Sequence, residues 1–103
     1  MSKVINIHPL DVKERLKSGE KLTLIDVRES EEVAAGRIPG SKHISLSELQ
    51  HRWQEIDPNE EAIIVCRSGN RSGMACEFLM GRGYDKVKNL MGGMNGWQGD
   101  VER

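Results

Sequence analysis

The sequence contains few of the residues that mark several common protein classes. Only two of its 103 residues are cysteines, Cys66 and Cys76, too few for the disulfide framework of a small secreted domain and too far apart for a CxxC redox pair. The three histidines are scattered and no two lie four residues apart, so no metal site is expected. No apolar run approaches the roughly 18 residues that a membrane span requires.

An excess of charge of one sign is also missing. The chain has 15 lysines and arginines against 16 aspartates and glutamates, a formal net charge of -1. This balance excludes a globally basic nucleic-acid-binding protein and an acidic tail protein. The first residues, MSKVINIHPL, contain neither the apolar stretch nor the small-residue cleavage site of a secretory signal. A cytoplasmic protein with no nucleic-acid or membrane partner is therefore expected.

The segments that are present indicate one compact α/β domain over residues 1–103, since a chain of 11.6 kDa buries roughly 65% of its unfolded surface on folding. Strand-like and helix-like segments alternate, which favours a central, mostly parallel sheet of about five strands with helices on both faces. Strands are predicted at Val4–Ile7, Leu22–Val27, His43–Ile44, Ala62–Cys66 and Val87–Leu90. Helices are predicted at Pro9–Lys17, at Ser30–Ala35 with Ser30 as cap, from Ser45 to about Trp53, from about Ser72 to Arg82 and near Asn95–Gln98.

Cys66 stands where chemistry is expected in such a fold. It ends a strongly apolar strand, and ligands of open parallel sheets bind beyond the carboxyl ends of the strands. The loop Arg67–Arg71 follows, and its Gly69 and Asn70 tolerate positive φ, so the backbone N–H groups can curl around the sulfur as an anion-binding nest. A helix that starts at Ser72 adds the partial positive charge of its N-terminus.

Two arginines strengthen this interpretation. Arg67 and Arg71 contribute full positive charges, and no acidic residue lies in the strand, the loop or the first turn of the predicted helix. Together these features favour a thiolate at Cys66. The alternative is an inert buried cysteine before an ordinary turn. Cys76 lies among apolar residues of the helix and is predicted to pack in the core, with a resolving role as the lesser alternative.

Loop length separates two enzyme classes that use a cysteine in an anion-cradling loop. Cysteine-dependent phosphatases have one residue more between Cys and Arg than the four that separate Cys66 from Arg71. The tighter ring suits a cradle centred on a sulfur atom bound to the cysteine, the terminal sulfur of a persulfide. A small cysteine phosphatase or an arsenate reductase is the alternative that this spacing disfavours.

Four motifs, in order from about Ile5 to Trp97, resemble the single-domain form of the rhodanese (sulfurtransferase) family. They are Asp26-Val27-Arg28-Glu29 with Glu32, similar to D-V-R-x-x-x-E; Gly36–Ile44, similar to G-H-I-P-G-A-x-N-I; Cys66–Ser72, which matches the active-site loop; and Leu90–Trp97, similar to L-x-G-G-x-x-x-W. Arg37, Ser41 and His43 depart from the pattern. These three positions lie outside the loop, so they affect local hydrogen bonding rather than the predicted activity.

The resemblance implies a rhodanese-like sulfurtransferase that needs no metal or organic cofactor. Cys66 would be catalytic, taking the sulfane sulfur of thiosulfate or a related small anionic donor as a persulfide and passing it to cyanide or a thiol, protein thiols included. The implied substrate-binding residues are Arg67, Ser68, Gly69, Asn70, Arg71 and Ser72. A non-enzymatic persulfide carrier or docking module needs the same cradle and remains open.

Acidic and basic residues upstream of the loop receive weaker predictions. The resemblance implies that Asp26 and Arg28 brace the neighbourhood of the active loop, and a purely structural ion-pair network is the equal alternative. Glu29, Glu31 and Glu32 are interpreted as solvated residues that complement a helix dipole.

Overall fold

The computed structural model describes residues 3–103; Met1 and Ser2, part of the predicted domain, lie outside the described residues. Within these described residues, five strands alternate with four α-helices and two short 3₁₀ helices, which occupy Trp53–Glu55 and Gly93–Gly96. The strands are β1 (Ile5–Ile7), β2 (Thr23–Asp26), β3 (Lys42–His43), β4 (Ala62–Val65) and β5 (Val87–Leu90). The α-helices are α1 (Pro9–Lys17), α2 (Ser30–Ala35), α3 (Leu46–Arg52) and α4 (Asn70–Met80). Within residues 3–103 no helix is long and apolar enough to cross a membrane.

The strands form one sheet in the order β1-β5-β4-β2-β3, and every neighbouring pair is parallel. β4 is central: Ile64 lies opposite Ile25 of β2 and Asn89 of β5. All four residues of β4 are buried, as expected for a parallel strand covered on both faces. The predicted α/β class with a parallel five-stranded sheet is confirmed.

Alternate side chains of the sheet contribute to two cores, one on each face. The first core packs α3 and α4 against the sheet and includes Ile25, Val27, Ile44, Leu49, Ile64, Cys66, Ala75, Cys76 and Leu79. The second packs α1 and Trp97 on the other face and includes Val12, Leu24, Ile38, Ile63, Val65 and Leu90. Since β4 supplies both cores, its carboxyl end is held firmly in the middle of the molecule.

Several predicted boundaries are wrong in ways that matter for the site. α4 begins at Asn70 rather than Ser72, because Gly69, at φ 103°, serves as its N-cap. Asn70 therefore has helical geometry, and no non-glycine residue among 3–103 has positive φ. The loop after Cys66 is shorter than predicted, only Arg67–Gly69.

Two further helix predictions are corrected. Glu29, not Ser30, caps α2, and its N–H donates to the Glu32 carboxylate at 3.0 Å in a reciprocal capping box. The last helix is a 3₁₀ helix at Gly93–Gly96 rather than a helix at Asn95–Gln98, because the chain turns inward at Gly93. At the start of α3, Ser45 and Glu48 form a reciprocal capping box.

Candidate active site

The Cys66 side chain lies at the carboxyl end of β4, 0% exposed. Its Sγ accepts a hydrogen bond from the Gly69 N–H at 2.9 Å and lies 3.2 Å from the Ser72 hydroxyl. The backbone N–H groups of Ser68 and Ser72 also donate toward the sulfur. The short loop and the first turn of α4 therefore aim several donors at one atom, which is the geometry of an anion nest.

These donors decide the acidity of the thiol. Burial raises the pKa of Cys66, but hydrogen bonds from the Ser72 hydroxyl and from the backbone of Ser72, Gly69 and Ser68 outweigh it, so the pKa lies below its ordinary value. Neutral donors are thus the main source of thiolate stabilisation, a role that the sequence had assigned in part to two arginines. Burial raises the pKa of Cys76 to about 12, which keeps that residue an inert thiol in the first core.

The Arg71 guanidinium is already engaged in an ion pair and is not free to bind an anion. Its guanidinium meets the Glu32 carboxylate of α2 in a two-pronged ion pair, with N–O distances of 2.6 and 2.8 Å. The hydrogen bonds from Arg71 lower the pKa of Glu32 to about 2, so the carboxylate is charged at neutral pH. The interpretation of Glu32 as a merely solvated helix-dipole residue is wrong. No acidic residue is close to the loop in the sequence, but the fold places Glu32 of α2 beside it.

A buried ion pair fixes the helix that supplies Glu32. Arg28 Nη2 lies 2.8 Å from Asp26 Oδ2, and both side chains are almost fully buried. The same guanidinium donates to the carbonyls of Gly36 at 2.7 Å and Glu32 at 3.3 Å, one beyond α2 and one within it. Charge-assisted bonds of this kind are strong and directional. The pair therefore braces the loop indirectly, by placing α2 and the carboxylate that holds Arg71.

The Gly93–Gly96 3₁₀ helix holds the loop from behind. The Met94 N–H donates to the carbonyl of Cys66 at 2.8 Å, and the Asn95 N–H to the carbonyl of Arg67 at 2.9 Å. A Cβ on Gly93 would lie 2.6 and 2.7 Å from the carbonyl carbon and oxygen of Arg67, and closer still to the Cys66 carbonyl oxygen. Only glycine fits there, which explains why the turn carries this residue at φ 55°.

A polar network that the sequence analysis missed connects β5 to the sulfur. The Ser72 hydroxyl, itself buried, donates to Oδ1 of Asn89. Asn89 Nδ2 in turn donates to the Gly69 carbonyl at 3.2 Å and to Asn6 Oδ1 at 3.1 Å. The only signal in the sequence was a polar residue in the inner part of the strand VKNL, which is unusual for a parallel strand between two others.

The predicted loop residues fall into two groups: those that contact the Cys66 sulfur and those whose side chains lie away from it. Gly69 and Ser72 contact the sulfur of Cys66 directly, and Ser68 does so through its backbone. The side chains of Arg67, Ser68 and Asn70 are exposed at the rim. Arg71 is half-buried and turned to Glu32. The loop therefore presents the side chains of Arg67, Ser68 and Asn70 to solvent.

Comparison with known proteins gives consistent matches over most of the chain. The sequence profile described as "Rhodanese-like domain" matches residues 8–100. The Bacillus subtilis protein named "Putative sulfurtransferase YtwF" is 41% identical over 91 residues, which cover 88% of this chain and 87% of that protein. The "Putative sulfur carrier protein YrkF" of the same organism is 42% identical over 90 residues, or 87% of this chain and 49% of that protein.

A solved structure gives the same match in three dimensions. The crystal structure of a rhodanese-like domain protein from Staphylococcus aureus superimposes with a TM-score of 0.89 at 32% sequence identity. The superposition covers 96% of this chain and 97% of that one. The similarity therefore extends over the whole sheet, its helices and the loop at the end of β4.

Proposed function

Because the chain belongs to the rhodanese-like domain family, we propose that it is a cytoplasmic thiosulfate sulfurtransferase that works through a persulfide on Cys66. The sulfane sulfur of thiosulfate, or of a related small anionic donor, passes to cyanide or to a thiol, including thiols of proteins. The observation that carries the proposal is the convergence of N–H and hydroxyl donors on the buried sulfur of Cys66.

The first step is a nucleophilic displacement at sulfur. The Cys66 thiolate attacks the outer sulfur of thiosulfate, a new S–S bond forms, and the original S–S bond breaks. Sulfite departs with the bonding electron pair and is a good leaving group because it is a weak base. The lowered pKa of Cys66 favours this step because the thiolate, not the thiol, is the nucleophile.

The second step returns the enzyme to its starting state. The persulfide of Cys66 carries its negative charge on the outer sulfur, and the donors of the loop and of the start of α4 stabilise it as an oxyanion hole stabilises an alkoxide. Cyanide or a thiolate attacks that outer sulfur, and the bond to Cys66 breaks to regenerate the thiolate. Two half-reactions through one covalent intermediate require ping-pong kinetics.

Donor capture falls mainly to Arg67 and the backbone. The pair with Glu32 offsets the charge of Arg71, whereas the exposed Arg67 side chain takes part in no ion pair within residues 3–103. An exposed cation attracts a dianion over a distance of about one Debye length, so capture should weaken as salt is added. We assign Gly69 and Ser72 to the persulfide, and Arg67, Ser68, Asn70 and Arg71 to the rim that receives the donor.

The decisive test is the mass of the intact protein after exposure to thiosulfate and removal of excess donor. A gain of about one sulfur atom that is lost on adding cyanide, with release of thiocyanate, supports the proposal. Aryl phosphate hydrolysis is measured in parallel. Vigorous Cys66-dependent phosphatase turnover without persulfide formation would contradict it and favour the phosphatase alternative.

A persulfide carrier is the second candidate, and the similarity to a protein named as a sulfur carrier favours it. A carrier needs the same cradle but turns over slowly without its partner. Persulfide formation with thiosulfate at a normal rate, followed by slow discharge to cyanide and fast discharge to a protein thiol, would distinguish the carrier from the enzyme.

A further inference from the structure

The Ser72 hydroxyl stands between two groups that compete for its single proton. Its oxygen lies 3.2 Å from Cys66 Sγ on one side, and it donates to Asn89 Oδ1 on the other. A serine hydroxyl has one O–H to donate and lone pairs to accept with. While that proton is on the Asn89 side, Ser72 can only accept from the sulfur, which requires Cys66 to be a thiol.

The amide of Asn89 cannot simply turn over to relieve this competition. Its Nδ2 donates to the backbone carbonyl of Gly69 at 3.2 Å, which accepts and never donates, and to Asn6 Oδ1 at 3.1 Å. A flipped amide would place oxygen against the Gly69 carbonyl and lose both bonds. Oδ1 is therefore held toward Ser72 as a fixed acceptor in a buried site.

We propose that Asn89 is a positioning residue that holds the Ser72 proton away from Cys66 in the resting thiol and yields it to the sulfur when the thiol ionises. In the thiol, the S–H donates to Ser72 and Ser72 donates to Asn89. In the thiolate or the persulfide, the Ser72 O–H rotates to donate to sulfur, and Asn89 Oδ1 loses that partner. The proton that left the sulfur goes to solvent or to a base of the medium.

This arrangement limits how acidic the Cys66 thiol can become. The loop donors lower the pKa of the thiol, while Asn89 opposes them by stabilising the protonated form. Such opposition has a chemical use, since a thiolate loses nucleophilicity as its pKa falls and reacts best when that pKa is near the ambient pH. The inference takes its purpose from the proposed sulfur transfer, but the exchange itself is a property of Cys66, Ser72 and Asn89 alone.

The first test is the acid dissociation constant of Cys66, followed through thiolate absorbance and the pH dependence of alkylation, with mass spectrometry to locate the label. Cys76 does not interfere, because burial keeps its pKa at about 12. Asn89→Ala should raise the dissociation constant about three- to tenfold, the equivalent of one neutral hydrogen bond. Ser72→Ala should lower it, since the thiolate loses a donor.

The double variant gives the sharp comparison. If Asn89 acts only through the serine proton, Asn89→Ala has no further effect in the Ser72→Ala background. If Asn89 instead acts by anchoring Gly69, Asn89→Ala lowers the dissociation constant in both backgrounds, and the proposal is overturned. Asn6→Ala is the matched control, since it removes an amide contact of Asn89 without touching Ser72, and it should leave the constant unchanged.

A measurement on the unaltered protein covers the case in which the Asn89 variant fails to fold. The side-chain amide signal of Asn89 in a ¹H–¹⁵N spectrum should shift with pH at the same midpoint as Cys66 ionisation and should stop doing so in Ser72→Ala. An Asn89 signal that ignores Cys66 ionisation would overturn the proposal. None of these readouts involves sulfur transfer, so an inactive protein that shows the coupling would count against the proposed function only.

Discussion

At the residue scale, two cysteines of one chain have opposite environments. Cys66 meets several hydrogen-bond donors at the end of a central strand, whereas Cys76 is surrounded by the apolar side chains of the first core. Both are fully buried, so exposure does not distinguish them. The number of donors does, since each one that points at sulfur stabilises the anion and an apolar wall does not.

The first prediction follows from this difference. Cys66→Ser should lower the rate of thiocyanate formation from thiosulfate and cyanide by on the order of 10³-fold or more, as loss of a covalent nucleophile does. Cys76→Ser is the matched control and should retain most of the activity, because its thiol stays protonated. Equal losses in two folded variants would contradict the single-nucleophile mechanism and give Cys76 a resolving role.

A second prediction concerns the ion pair of Arg71 with Glu32. Glu32→Gln keeps an oxygen to cap α2 but removes the charge that occupies Arg71. The KM for thiosulfate should then fall about threefold, or roughly 0.7 kcal/mol, as is reasonable for a partly exposed pair. Steady-state kinetics at low and high salt would measure this KM, and the difference between Glu32→Gln and the native protein should shrink as salt is added.

Glu31→Gln supplies the control for this experiment. Glu31 lies in the same first turn of α2, is exposed, and has no ion pair within the described part of the chain. Glu31→Gln removes the same net charge from the protein as Glu32→Gln does, but it does not free Arg71. If both variants change the KM equally, the effect is one of overall charge, and Glu32 has no special hold on donor binding.

The sequence indicated Cys66 as the candidate nucleophile but did not indicate the distant residues that contact its loop. Cys66 was accessible to prediction because its strand, loop and helix are contiguous. Glu32, Asn89 and Gly93 come from other parts of the chain and meet the loop only after the sheet has formed. Local patterns carry no information on such contacts. The motif D-V-R-x-x-x-E did mark the position of Glu32, but the motif alone does not show that Glu32 pairs with Arg71.

At the scale of elements, the loop that follows Cys66 is clamped between α4 and the Gly93–Gly96 3₁₀ helix. The N–H groups of Met94 and Asn95 hold its outward carbonyls, and this leaves its N–H groups free to face the sulfur. The strands were predictable because apolar runs and turn residues bound them closely. The start of α4 was not, because Asn70 and Arg71 are compatible with both loop and helix, and the φ of Gly69 decides between them.

The third prediction tests the clamp. Gly93→Ala should destabilise the protein and also raise the pKa of Cys66, because a Cβ there displaces the carbonyls of Cys66 and Arg67. Gly83→Ala is the control: Gly83 has φ 93°, and a Cβ there meets nothing within 4 Å. In Gly83→Ala the free energy of unfolding should fall only by the backbone strain, about 1–2 kcal/mol. Denaturant unfolding and Cys66 titration measure the two effects.

The outcome is read from the two measurements together. Equal losses of stability, with Cys66 unchanged in both variants, would show that the 3₁₀ helix does not shape the loop. A larger loss in Gly93→Ala that leaves the acidity of Cys66 intact would show that the clamp stabilises the fold but does not orient the donors.

At the scale of the whole molecule, ion pairs between distant segments connect the elements around the sheet. Glu61, which precedes β4, pairs with Arg15 of α1 and lies 2.5 Å from Lys88 Nζ of β5. The hydrogen bonds from Arg15, and then from Lys88, lower the pKa of Glu61 to about 2. One carboxylate thus joins a helix on one face to two strands of the sheet.

The fourth prediction is a loss of stability in acid. Since folding depresses the pKa of Glu61 and Glu32, their contributions are fully present above the ordinary glutamate pKa near 4.5 and are lost as the pH falls toward 2. Glu61→Gln should therefore melt a few degrees below the native protein at pH 7, and the gap should be smaller at pH 3. Thermal unfolding at both pH values measures it.

Glu14→Gln is the corresponding control, because Glu14 is exposed and forms no ion pair within residues 3–103. Its melting temperature should follow that of the native protein at both pH values. A Glu61→Gln variant that behaves in the same way would show that solvent screens the pair fully.

The peptide group between Arg67 and Ser68 is engaged at both ends. Its carbonyl accepts from the Asn95 N–H at 2.9 Å, and its own N–H, that of Ser68, points at the Cys66 sulfur. A donor on the carbonyl of an amide polarises the amide and strengthens the bond that its N–H makes. The 3₁₀ helix thus acts on the sulfur as an electron-withdrawing substituent acts on an acid, through one conjugated group. Any ligand or substitution that draws this helix away from the loop should therefore make the Cys66 thiolate more basic.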